Sequence, residues 1–244
     1  MIETLRAEIL KVRRTLAFWL TVIAPLATVG IQFFWFRRYS TDLHMHPSLW
    51  RVWFEQILTL WGLVVAPCYL ALQCASIAGM EHQNHAWKNL LAAPRPKWMV
   101  YAAKIGVCNL LAGLSFTLLW IFGLTGGLIQ SMVRRDFPLS AAPLATAAAS
   151  ILAMYCASWL QLSLGAWMSL RFAQFAVPVG VAVSAMAAQV ALIQTEPNIR
   201  WSPWLLPINV VAFQREYAMP AMIGLASGLT VAVLACVILA RREL

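Results

Sequence analysis

Side chains able to do covalent or metal chemistry are few in this sequence, and their spacing excludes most of that chemistry. The four histidines fall in two loop pairs, His44 with His46 and His82 with His85, and no thiol or carboxylate cluster completes a metal-ligand set around them. Cys68, Cys74, Cys108, Cys156 and Cys236 lie inside apolar runs without paired spacing, which suits small packing residues and neither a disulfide nor a zinc framework. No Ser, His and Asp arrangement suggests nucleophilic catalysis. The Gly-x-x-x-x-Gly-Lys-Ser/Thr run that cradles nucleotide phosphates does not occur. Asp and Glu avoid the interiors of the apolar runs, against the buried coupling carboxylates of a proton- or sodium-driven carrier. What remains is one stretch of mixed polarity, Glu81 to Trp98, whose residues suit mechanical contact better than catalysis.

The elements that must hold this stretch follow from composition. Hydrophobic residues make up 61% of the 244 positions and charged residues 11%, too apolar for a soluble core to hide, so lipid is the expected second solvent. Charge-free windows run 15–36, 56–80, 105–133, 137–170, 172–195 and 217–240. Each can cross about 30 Å of hydrocarbon once as a helix of about 20 residues. The fold class is therefore all-α and polytopic, a single transmembrane domain over 1–244 with spans near 16–36, 56–80, 105–129, 144–170, 172–194 and 217–240. Residues 1–14 precede the first span without a small-residue cleavage site, so that span is expected to be retained. In this leader Ile2, Leu5, Ile9 and Val12 recur at helical spacing and Glu3, Arg6, Lys11 and Arg13 fill the remainder, predicting an interfacial amphipathic helix.

Orientation follows from the distribution of the 18 Lys and Arg residues. With the N-terminus inside, Arg6, Lys11, Arg13, Arg14, Lys88, Arg95, Lys97, Lys104, Arg171, Arg241 and Arg242 face the cytoplasm. The others, Arg37, Arg38, Arg51, Arg134, Arg135, Arg200 and Arg215, lie on the opposite side. This is the sense of the positive-inside rule, with both termini cytoplasmic. The formal charge of +9 is spread over short flanks that meet anionic headgroups, and no soluble domain is left to form a nucleic-acid groove.

Glu81 to Trp98 then connects two spans on the cytoplasmic side. Trp87, Leu90 and Leu91 fall on one helical face, and Glu81 and Lys88 share a flank two turns apart. Pro94 is expected to end this short helix, and Pro96 to stiffen the return to the membrane. Such a segment can pass a push from a soluble partner to the helices behind it.

This run resembles the cytoplasmic signature of ABC-2 type permeases, closest in appearance to the subset for lantibiotic immunity and peptide-antibiotic export. That signature has Glu, three residues, Gly-Thr-Trp-Lys, a Leu pair, and Pro with a basic residue. Glu81, Trp87, Lys88, Leu90, Leu91, Pro94 and Arg95 match it, and His85 and Ala86 stand where Gly and Thr are usual. The resemblance implies a second permease protomer, identical or homologous, and two cytoplasmic ABC ATPase subunits. ATP and Mg²⁺ are then expected on those subunits, with no cofactor on this chain and no enzymatic activity of its own. The matching residues would couple the two parts.

Before the last span, Pro197, Pro203 and Pro207 preclude one regular helix, while Trp201, Trp204, Leu205 and Leu206 are too apolar for a free loop. A broken or re-entrant helix in the outer leaflet is predicted. It resembles the family's outer gate-like segment, making Trp201, Trp204, Leu205 and Pro207 candidate gate residues. Asn109, Gln161 and Gln189 are polar within spans and serve as either substrate-path residues or interhelical glue. Gly224-x-x-x-Gly228 permits close helix approach. Trp50 and Trp53 are expected as interfacial anchors of the outer loop. The function expected is the membrane subunit of an exporter of an amphipathic peptide antibiotic. Export of lipid-linked glycans or small drugs, a membrane-embedded enzyme, and a structural or sensor protein without an ATPase are the alternatives.

Overall fold

Backbone amides within hydrocarbon have no water to pair with, so apolar runs of this length close their hydrogen bonds locally as helices. The computed structural model describes residues 2–13, 15–39, 49–83, 96–133, 143–195, 202–212 and 218–241, and among these there is no strand. The helices are α1 (Ile2–Val12), α2 (Leu16–Tyr39), α3 (Leu49–Leu60), a π-helical segment (Trp61–Val65) continuing into α4 (Ala66–Gln83), and α5 (Lys97–Val133). They are followed by α6 (Leu144–Ala157), α7 (Trp159–Arg171), α8 (Ala176–Thr195), α9 (Leu206–Ala212) and α10 (Ala218–Ala240).

Among the described residues five segments are long and apolar enough to cross a membrane: Leu16–Arg38, Leu49–Met80, Lys97–Val133, Leu144–Arg171 and Ala218–Ala240. The apolar stretch Ala176–Ala191 of α8 is shorter, roughly 24 Å at 1.5 Å per residue. The second segment starts at Leu49, ahead of the charge-free window that begins at 56, because Arg51 and Glu55 neutralise one another one turn apart, Nε to Oε1 at 2.6 Å. Likewise α5 starts at Lys97 and carries Lys104 inside the helix.

Helix α5 is the post around which α1, α2, α6 and α10 pack. Its far end is notched by Gly123, Gly126 and Gly127, and the side chains of α3 fill the notches. A β-carbon at Gly127 would overlap the Trp50 ring, and one at Gly126 would stand 3.0 Å from Trp53. The Trp53 indole also donates to the Gly123 carbonyl at 2.8 Å. Trp50 and Trp53 are thus wholly buried core residues of a helix, in place of the interfacial anchors expected from their position beside a polar loop. Glycine notches remove the steric bar to bringing an indole onto a neighbouring backbone.

The fourth span is broken at Ser158, whose hydroxyl donates back to the Met154 carbonyl at 2.8 Å. A side chain bonding the preceding turn bends a helix in this way. Helix α10 lies against this break. A β-carbon on Gly224 would stand 2.5 Å from the Ala157 carbonyl oxygen, and one on Gly228 would stand 2.6 Å from the Trp159 carbonyl carbon. The glycine pair therefore serves a contact within one chain.

Candidate functional site

Four elements meet at one end of the bundle: α1, the end of α4, the start of α5 and the end of α7. Glu81 lies in the last turn of α4, and Pro96 and Lys97 open α5, the Met99 amide donating to the Pro96 carbonyl at 3.0 Å. Trp87, Lys88, Leu90, Leu91, Pro94 and Arg95 fall in 84–95, outside the described residues, as does the Glu81 side chain. What is on view is the frame on either side. His82, one residue after Glu81, sits with Nε2 3.2 Å from the Ser169 carbonyl oxygen, which ties the α4 end to α7.

The sequence gives little sign of the strongest electrostatic contact at this end. Lys104 is 1% exposed, and its ammonium donates to Glu8 Oε2 of α1 at 2.8 Å. Lys11 Nζ reaches the other carboxylate oxygen at 2.7 Å. Burial raises the Glu8 pKa, and Lys104 and Lys11 more than offset this, holding the carboxyl below its ordinary value. The inward face of α1 is thus Leu5, Glu8 and Val12, while Ile9 and Leu10 are exposed. A carboxylate with two cationic partners is well satisfied facing inward between Leu5 and Val12. Lys104 borders an apolar window and stands 96 residues from Glu8, so no local spacing links the two.

A chain of hydrogen bonds cross-links α2, α4 and α5 farther along the bundle. Gln73 Nε2 donates to the Tyr69 hydroxyl at 2.7 Å, the Tyr69 and Ser115 hydroxyls pair, and Ser115 Oγ donates to the Thr21 carbonyl at 2.9 Å. Thr21, Gln73 and Ser115 are completely buried. Each such bond between membrane helices contributes about 0.6–2 kcal/mol.

Beside this network a groove of about 590 Å³ runs between α5 and α6, bordered by Gly106, Asn109, Gly113, Thr117, Trp120 and Tyr155 among others. Gly106 to Trp120 is about 21 Å of helix. The volume lies within the usual range of roughly 300–1,000 Å³ for small-molecule sites, and the lining is mostly apolar with a few polar groups. Asn109 donates to its own helix at the Ile105 carbonyl at 3.0 Å, and Tyr155 donates across the groove to the Asn109 carbonyl at 3.2 Å. Asn109 Oδ1 and Trp120 Nε1 are buried without a hydrogen-bond partner among the described residues.

Gln161 and Gln189 are elsewhere. Gln189 of α8 donates to the Leu63 carbonyl at 2.7 Å, in the π-helical segment. A carbonyl freed by the wider helical turn takes a side-chain donor there. Gln161 of α7 is 5% exposed, and neither its amide nitrogen nor its oxygen has a partner among the described residues. The structure does not bring Asn109, Gln161 and Gln189 into one pocket; only Asn109 lines the groove.

At the opposite end, residues 202–205 form a turn leading into the short helix α9. Leu205, Leu206, Pro207 and Val210 are buried and Trp204 is half-buried, while Trp201 is outside the described residues. Helix α9 packs on α3, the π-helical segment and α6. A β-carbon at Gly62 would stand 3.2 Å from Met154 Cε and 3.5 Å from the Ile208 amide nitrogen. The π-helical turn and α9 thus approach each other at backbone distance. Adjoining α9 is a cavity of about 540 Å³ bordered by Arg51, Glu55, Thr146, Ser150, Val210 and Val211 among others. Among the described residues no group of three or more His, Cys, Asp or Glu is placed to hold a metal ion.

A family model described as ABC-2 family transporter protein matches residues 4–189. No curated protein and no solved structure matches the chain.

Proposed function

This chain belongs to the ABC-2 family of transporter proteins, and on that premise we propose that it is the permease subunit of an ATP-driven exporter. The observation carrying this reading is the family match across 4–189, which includes the 81–98 connection between α4 and α5. In this reading the whole chain is one transmembrane domain, α8 is a sixth span, and both termini and residues 84–95 lie in the cytoplasm of a bacterium, at its inner membrane. Trp87, Leu90 and Leu91 seat the connection on a separate ABC ATPase, with Glu81, Lys88 and Arg95 orienting it and Pro94 ending it. Two ATPase copies act on two permease protomers. ATP and Mg²⁺ are bound and consumed there, and this chain supplies motion and path.

Support for a second protomer comes from α8, whose exposed residues include Gly180, Ser184, Ala187, Ala188 and Ala191. Small side chains of this kind let two membrane helices approach closely. Closure of the ATPases on nucleotide would displace the connections and shift the protomers between inward and outward arrangements. At the other end Trp201, Trp204, Leu205 and Pro207 act as the outer gate, a reading supported by the seating of α9 on the π-helical turn.

An amphipathic molecule drawn from the membrane is the substrate class in this reading, supported by the mostly apolar groove between α5 and α6. A peptide antibiotic of the lantibiotic type fits that description and the signature at 81–95. The test is isolation from mild detergent with the co-purifying ATPase, followed by hydrolysis and transport measurements in vesicles with cationic antimicrobial peptides. Peptide-stimulated hydrolysis with export is expected. A native complex without an ATPase, or hydrolysis indifferent to every peptide while glycolipid or drug stimulates it, would overturn the assignment.

A further inference from the structure

The ion pair between Glu8 and Lys104 has no part in the path, the gate or the 81–98 connection, and it is costly to build. A fully buried ammonium loses several kcal/mol of hydration unless paired. Its partner here comes from a separate helix, close to where α5 emerges from the 84–95 stretch. Lys11, three residues on in α1, takes the other oxygen of the same carboxylate and so fixes the Glu8 side chain in place for Lys104. Around the pair, Leu5 Cδ1 lies 3.5 Å from a β-carbon position on Gly106, and Val12 is 2% exposed. The outward face of α1 is different in kind: Arg6, Ile9, Leu10 and Arg13 are exposed there, the mixture that lies at a lipid headgroup boundary.

We propose that Glu8 and Lys104 are a positioning pair that fastens α1 to the base of α5, so that the two helices move as one body when the 81–98 connection is displaced. The proposal rests on the exporter reading for what displaces the connection. Its physical basis is that α1 floating on headgroups would be free of α5, whereas a buried ion pair with apolar contacts on both sides makes separation the expensive step. The interfacial helix then acts as an outrigger: motion of α5 drags an amphipathic surface along the inner leaflet, and that surface holds α5 at constant depth.

Two variants and one cross-link test this with the ATPase-bound complex in vesicles. Glu8→Gln takes the carboxylate charge away from the buried Lys104, and should lower peptide transport by about tenfold while the protein still inserts. The exchanged pair, E8K with K104E, should return transport to within about threefold of the unaltered protein, which a role confined to local packing would not do. Leu5→Cys with Gly106→Cys, in a chain whose five native cysteines are Ala, should cross-link with a short bis-thiol reagent equally well without nucleotide and in the nucleotide-trapped state. A yield that changes with nucleotide state, or unaltered transport by Glu8→Gln, would each overturn the proposal. Loss of transport in the unaltered complex would instead reject the exporter reading. In that event the lower cross-linking yield expected on adding Glu8→Gln, measured on the chain alone, still decides whether the pair holds α1.

Discussion

Gly224 lies directly on the backbone of Ala157, the β-carbon it lacks having its place 2.5 Å from that residue's carbonyl oxygen. Backbone cannot rotate aside as a side chain can, so Gly224→Ala should push α10 off the α6–α7 break and cost about 1–3 kcal/mol. Thermal unfolding in detergent should show a lower midpoint for Gly224→Ala than for Gly180→Ala, whose β-carbon position meets nothing within 4 Å. Equal midpoints would mean that α10 is not held there.

The 81–98 connection should behave as an interface with an aromatic anchor. Trp87→Ala is expected to remove about 2 kcal/mol of seating on the ATPase, roughly thirtyfold in affinity. Glu81→Lys should uncouple hydrolysis from export in the same way. Both proteins should insert normally and retain basal hydrolysis once the ATPase is in excess. Unchanged coupling in both would remove these residues from the contact.

The groove should respond to filling more than to loss of any one polar group. Thr117→Trp, at an exposed position on its wall, is expected to raise the KM for a peptide substrate by about tenfold, which is about 1.4 kcal/mol. Asn109→Ala should change it less, because the Asn109 amide bonds within its own helix and the Tyr155 contact uses the main chain. A KM unaffected by Thr117→Trp would place the path elsewhere.

The attachment of α1 should be insensitive to pH across the neutral range. Lys104 and Lys11 hold the Glu8 carboxyl below its ordinary value of 4.5. A carboxylate whose pKa is depressed on folding contributes stability above its unfolded value and loses it as pH falls through the folded one. A polarity-sensitive fluorophore on Ile9→Cys should therefore report one environment from neutral pH down to the ordinary carboxylate range, and release only below it. Release near neutral pH would show that the pair is not formed.

The sequence by itself determined that this is an all-helical membrane chain, because apolar runs long enough to cross hydrocarbon admit little else. Apolar spans at 56–80 and from 105 onward, the interruption before the last span and the family were legible at that level, although the helices begin earlier, at Leu49 and Lys97. Span edges were not: Arg51 with Glu55, and Lys104 with Glu8, extend helices past charges that look like boundaries until a partner cancels them. Trp50 and Trp53 beside a polar loop look interfacial in one dimension, and become core only because three glycines, some seventy residues later in the chain, form notches to receive them. Only the tertiary structure decided that Gly224 and Gly228 meet the broken fourth span of the same chain, and that Glu8 faces inward. Composition and period govern how a segment meets its solvent, whereas a pairing between distant segments depends on which surfaces come to lie at atomic distance, and that is a property of the packed bundle.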